Sequence, residues 1–303
     1  MSYGSSSYAN EMQKYALEQS RYLIAATVLY AIAFLGGLAV TALAFIKLRG
    51  AHLRHGVAAW LRVACIFFTL YCLLDTCSFA VFSPMVHQAG IGKQTYSSTR
   101  LETQLDAAQY MALIGAWFNY VTQGLLFVSI VVSLCAATTS TTSGSRGCLI
   151  VAYVLGTAMN GLAAAVFALS VKQYSDKEGT SVVALFELRD LIMAFDCVLT
   201  AAAVFAAGLA LSRLSKRGDA DGKPAKLAFV ASLLLLLSAL YQLAVTIDLT
   251  WVSQYRFGSP NYHFVLSAIL GAWPLLGALA LLVVAGKKWG GGGSTRQQKG
   301  SVA

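Results

Sequence analysis

Six ionisable residues stand inside or at the rim of long apolar stretches, and any chemistry of this chain centres on them. Asp75 and Asp196 lie within hydrophobic runs, Asp248 closes one, and Glu187, Arg189 and Asp190 cluster at the start of another. A charge at the middle of a membrane helix costs about 2.5–3.5 kcal/mol on insertion scales, so an acid kept there holds a partner, a ligand, an ion or a proton. The histidines point elsewhere. His52 and His55 fall between the first two apolar stretches, His87 and His263 at the ends of others, and the four are too scattered to converge on zinc; His52-x-x-His55 alone is a weak metal signal. No Gly-rich phosphate loop or nucleophile elbow is present. The expectation is no catalytic residue, no metal, no cofactor and no enzyme.

The spacing of the polar residues says more than their number. Side chains three and four apart share one face of a helix. Arg189, Met193, Asp196, Thr200, Ala203 and Ala207 make such a face, as do Gln109, Ala112, Ala116, Asn119 and Gln123. Ser238, Tyr241, Ala244 and Asp248 line another, with Gln242 beside them, and Gly156, Asn160, Ala164 and Ala168 form a small-residue stripe. In a membrane such faces are expected to meet other helices rather than lipid. Arg189 and Asp196 are separated by about 10 Å along the axis, too far for a direct ion pair. Asp196 therefore pairs elsewhere or is protonated.

The elements that must position these residues follow from composition. The chain has 303 residues, 57% of them hydrophobic and only 12% charged, with a mean hydropathy of +0.66. That is about half the charge of an ordinary soluble domain, and it excludes a soluble enzyme, a nucleic-acid binder and a disordered chain. A spanning helix needs about 20 apolar residues, and seven stretches qualify: Tyr22–Ile46, Val57–Phe82, Ala107–Ala136, Cys148–Val171, Leu191–Leu211, Leu227–Leu249 and Tyr262–Gly286. The expected fold is an all-α seven-transmembrane-helix bundle. It comprises a polar segment (1–21), the helical domain (22–288) and a Gly-rich flexible tail (289–303). Pro84, Pro224 and Pro260 are read as loop residues. Pro274 is read as a kink in the seventh helix, with Trp273 beside it as a conformational switch.

Orientation rests on Lys and Arg. Thirteen lie on the side of the odd-numbered connections and the C-terminus, seven on the other, and Arg62 and Arg189 within helices or at their edges. Positive-inside logic places the N-terminus outside and the C-terminus in the cytoplasm. Arg213, Lys216, Arg217, Lys223 and Lys226 make the third inner connection the expected surface for a cytoplasmic signalling protein or for anionic lipid. Arg62 is expected to snorkel to the inner surface. Helix length favours a plasma membrane over an endomembrane.

Depth then sorts the polar residues. With alternating helix direction, Asp75, Asn119, Asn160, Asp196, Tyr241 and Gln242 all fall roughly 7–17 Å below the outer surface. The inner half, with Leu125–Phe127, Ala201–Leu211 and Leu233–Leu237, is nearly pure hydrocarbon. This pattern predicts an outward-opening pocket over an apolar floor. Asp75, Asn119, Gln123, Asn160, Asp196, Tyr241, Gln242 and Asp248 are its candidate ligand residues.

The layout resembles a G-protein-coupled receptor in helix count and orientation, but the motifs are missing. Ser133-Leu134-Cys135 stands where Asp/Glu-Arg-Tyr would, Trp273-Pro274-Leu275 replaces Asn-Pro-x-x-Tyr, and no outer connection carries a cysteine. A retinal protein would need a lysine within the seventh span, whereas Lys287 and Lys288 lie at its end. The expected function is receptor-like sensing of a small ligand or ion from outside. A secondary transporter or lipid-handling protein and a ligand-free membrane organiser are the alternatives. Lipid is the expected surrounding partner, and nucleic acid is not expected as one.

Overall fold

The computed structural model of the chain describes residues 4–48, 56–91, 98–136, 143–175, 182–215, 223–248 and 261–291. Six long helices come first: α1 (Gly4–Lys47), α2 (Val57–Gly90), α3 (Ser98–Ala136), α4 (Ser143–Ser175), α5 (Val182–Ser215) and α6 (Lys223–Ile247). A seventh rod is built from α7 (His263–Leu266), a π-helical segment (Ser267–Ala272) and α8 (Trp273–Gly291). Among the described residues there is no strand, and seven helices are long and apolar enough to cross a membrane.

Consecutive helices pack side by side, and α8 returns to α1, closing a ring. The third helix leans into the middle of it, touching α2, α4, α5, α6 and α8. From Thr122 to Cys135 every residue of α3 is buried, so this stretch has no lipid-facing side. The other helices are amphipathic in the membrane sense. They expose large apolar side chains such as Ile24, Leu35, Val154, Val204 and Leu240 outward, and bury smaller residues such as Ala33, Ala163, Ala203 and Ala231.

Helices meet a central partner this closely only where side chains are small. Gly156 of α4 faces Val128, whose Cγ2 lies 2.3 Å from where a Cβ would stand. Gly124 of α3 likewise makes room for the Asn160 amide, 3.1 Å away. The rest of the small-residue stripe on α4 does not follow. Ala164 and Ala168 are exposed, and the inward face instead runs through Ala152, Gly156, Met159, Ala163 and Val166. A constant four-residue step drifts by about 40° per step around a helix, and alternating threes and fours corrects the drift.

Several boundaries differ from the sequence reading. The polar segment before Tyr22 continues as helix, since α1 begins at Gly4. It packs on an equally extended α2, where the Ser83 hydroxyl reaches the Ser20 carbonyl at 3.5 Å. Pro84 therefore lies inside α2 rather than in a loop. Pro84 and Ala80, whose carbonyl loses its donor, are both exposed, so that carbonyl is not sealed in the core. Pro224 falls in the first turn of α6, where the missing N–H has no intrahelical partner to lose. Pro260 and residues 292–303 of the tail lie outside the described residues. Arg62 does reach the end of the bundle, but its guanidinium donates to the Leu48 carbonyl at 2.6 Å and lies over the Phe45 ring. It thereby caps the C-terminal end of α1.

Substitution tests the close approach of α4 to α3. Gly156→Ala drives a methyl into Val128 and is expected to lower stability by about 1–3 kcal/mol. Combining it with Val128→Ala should recover part of that loss, measured by thermal unfolding in detergent.

Candidate ligand site

The polar residues of α3, α5, α6 and the seventh rod converge on a cavity of ≈ 430 Å³. It lies toward the end of the bundle that carries the α2–α3, α4–α5 and α6–α7 connections. Ala116, Asn119 and Tyr120 of α3, Ile192 and Asp196 of α5, and Tyr241, Gln242, Val245 and Thr246 of α6 form most of its wall. Tyr71 of α2 and His263, Phe264, Ser267 and Gly271 of the seventh rod complete it. The volume is that of a small-molecule pocket.

Asp196 is the most buried charged residue of this wall, with 1% of its surface exposed. Thr246 Oγ1 donates to its Oδ2 at 2.6 Å. Its Oδ1 is buried and has no partner among the described residues. Arg189 does not reach it; that guanidinium pairs with Asp190 at 3.3 Å and covers the Phe186 ring. Asn119 is oriented from behind, since Gln123 Nε2 donates to its Oδ1 at 3.2 Å. At the mouth, His263 Nε2 lies 3.3 Å from Asp248 Oδ2.

The seventh rod is tied to α6 by two backbone contacts. Ser238 Oγ donates to the Gly271 carbonyl at 3.1 Å, and the Tyr241 hydroxyl to the His263 carbonyl at 3.4 Å. Pro274 lies two residues beyond the π-helical segment, whose C-cap Trp273 bonds through its N–H back five residues to the Ala268 carbonyl. A widened turn therefore precedes Pro274, where a kink was expected, and it gives the proline ring space against the preceding carbonyls. Pro274 is buried, whereas Trp273 is 41% exposed and turned toward α1, donating to the Leu29 carbonyl at 3.4 Å.

Asn119, Asp196, Tyr241 and Gln242 share the cavity wall. Gln123 and Asp248 each stand one hydrogen bond behind it. Asn160 is not part of the wall: its Nδ2 donates to the Gly156 carbonyl at 2.7 Å on the α4 side of α3. Asp75 is not part of it either. Its carboxylate lies over Gly115, with Oδ1 2.7 Å from where a Cβ would stand, and adjoins the Tyr30 hydroxyl. A hydroxyl chain connects that place to the cavity. Tyr71 and Tyr30 are 3.0 Å apart, Tyr30 donates to Ser267 Oγ at 3.3 Å, and Tyr71 and Ser267 are wall residues. Of the basic cluster, Arg213 sits in the last turn of α5 and Lys223 and Lys226 on the first turns of α6; Lys216 and Arg217 lie outside the described residues.

Thr246, Tyr120 and Tyr71 are wall residues that the sequence reading passed over. Thr246 carried a usable signal, being one helical turn from Gln242. Ala244, assigned to the polar face of α6, is exposed instead. No family model matches the chain, and no curated protein and no solved structure is significantly similar to it.

The Thr246–Asp196 bond can be weighed by a double-mutant cycle. Thr246→Val leaves a buried carboxylate oxygen without its donor and is expected to cost about 1–3 kcal/mol. In an Asp196→Asn background the same substitution should cost clearly less, read from unfolding midpoints of all four proteins.

Proposed function

We propose that this chain is a receptor-like integral membrane protein that holds a small ligand in the cavity between α3, α5, α6 and the seventh rod. The observation that carries this reading is the unpaired, buried Asp196 Oδ1 in a cavity of small-molecule size. A carboxylate oxygen enclosed without a donor is costly, and a ligand that supplies one offsets that cost. The apolar character of the opposite half of the bundle favours sensing over transport. Leu126, Phe127, Leu199, Ala203 and Leu235 are fully buried there and offer no polar path.

In this reading the N-terminus and the cavity face outside, and the C-terminus faces the cytoplasm of a cell-surface membrane. Ligand contacts with Ser267 and Gly271 would shift the π-helical segment and the Pro274 turn against α6. The α5–α6 connection, with Arg213, Lys223 and Lys226 at its ends, would carry that shift to a cytoplasmic partner.

The test has two arms. Purified protein is screened with small polar molecules for a raised unfolding midpoint, and a positive compound should lose its effect on Gly271→Phe, which fills the cavity beside Tyr241. The radiolabelled compound is then added to proteoliposomes. Saturable binding without uptake is the expected result. Uptake in proportion to the enclosed volume would replace the receptor with a transporter, and absence of any binding compound would leave a structural organiser.

A further inference from the structure

The hydrogen-bonding groups of the cavity wall are unequally used. Four of its five hydroxyls, all but that of Tyr120, are committed to partners among the described residues. Thr246 donates to Asp196, Tyr241 to the His263 carbonyl and Ser267 to the Phe264 carbonyl. The single proton of Tyr30 goes to Ser267 or to Asp75, so the Tyr71 hydroxyl is left to donate to Tyr30. Three of the wall's acceptors have no partner among the described residues. Asp196 Oδ1 and Gln242 Oε1 are both buried without a partner. His263 Nδ1 is in the same position, and it is an acceptor when Nε2 donates to Asp248. An amide flip would exchange the two ends of Gln242, but a carboxylate has no donor end to offer. Among the described residues no Lys or Arg lines the cavity, and the imidazole in its wall, His263, is paired with Asp248.

We infer that the cavity takes an organic ammonium ion, a protonated amine whose N–H groups meet Asp196 Oδ1 and Gln242 Oε1 while its apolar part lies among Tyr71, Tyr120, Tyr241 and Phe264. A cation restores the charge balance that the wall lacks, and N–H donors fill the acceptors that it leaves open. The aromatic side chains add the favourable face that ring quadrupoles present to a cation. A bare metal ion fits less well. A calcium-like ion gathers about six to eight oxygens, and no described group of three or more His, Cys, Asp or Glu is placed to hold a metal.

This inference rests on the reading of the cavity as a ligand site, and the experiment separates the two. Three probes with one phenyl ring and one two-atom spacing or less differ in head group: phenethylammonium, neutral 2-phenylethanol and anionic phenylacetate. Each is titrated against the purified full-length protein and against Asp196→Asn, with the unfolding midpoint as readout. Phenethylammonium alone is expected to raise the midpoint of the unsubstituted protein, and to lose that effect in Asp196→Asn. A second measurement does not depend on the folding of that variant. Ala116→Cys places a thiol in the wall for a methanethiosulfonate reagent, and phenethylammonium should slow its labelling about tenfold near saturation. Equal or greater stabilisation and protection by 2-phenylethanol or phenylacetate would overturn the ammonium assignment and leave the ligand site standing. An undiminished phenethylammonium effect in folded Asp196→Asn would overturn it as well. No shift and no protection by any of the three would overturn both readings.

Discussion

A helix covered on every side must be approached closely by all of its neighbours, and that constraint organises this bundle. The stretch of α3 from Thr122 to Cys135 is such a helix. Its neighbours come near because glycine stands at the contact points, Gly156 opposite Val128 and Gly124 opposite Asn160, and further along α3 Gly115 stands opposite Asp75. The same closeness explains why two of the polar side chains are held against backbone rather than in open space. Where glycine removes a side chain, a short polar group can enter and satisfy itself locally, as Asn160 does on the Gly156 carbonyl.

Polarity is separated along the α3 axis. Toward the α2–α3 connection it carries Ala116, Asn119 and Tyr120, which border a cavity. Toward its other end it is apolar but for hydroxyls such as Ser129 and Ser133, and fully packed. The helices around it follow suit, with Asp196 above Ala203 and Ala210 on α5, and Thr246 and Gln242 above Leu235 on α6. A cavity forms at the polar end because residues that need hydrogen-bond partners do not fill space as branched alkyl side chains do. Each must keep its geometry toward a partner, and packing yields to that requirement.

The seventh rod supplies the irregular backbone of the site. A π-helical segment lies just before the proline, and Ser267 and Gly271 of that segment stand in the cavity wall. Ser238 and Tyr241 fasten the π-helical segment and the start of the rod to α6 from the side. Through Tyr30 and Tyr71 the wall is also in hydrogen-bond contact with the region of Asp75.

The sequence by itself determined the seven helices and the separation of polar from apolar halves. Both depend on local quantities: twenty apolar residues in a row, and the depth of each polar residue along a helix of fixed rise. It also named four wall residues, because Asn119, Asp196, Tyr241 and Gln242 lie on faces with helical spacing. Only the tertiary structure decided which polar residues share the cavity. Asp75 and Asn160 lie at similar depth to Asp196, yet they point to other sides of α3, and depth carries no information about rotation between helices. Thr246 became the partner of Asp196 across 50 residues of chain for the same reason. A pairing between helices is set by how each is turned about its axis, and that turn is fixed by the close contacts at glycine rather than by the pattern within any one helix.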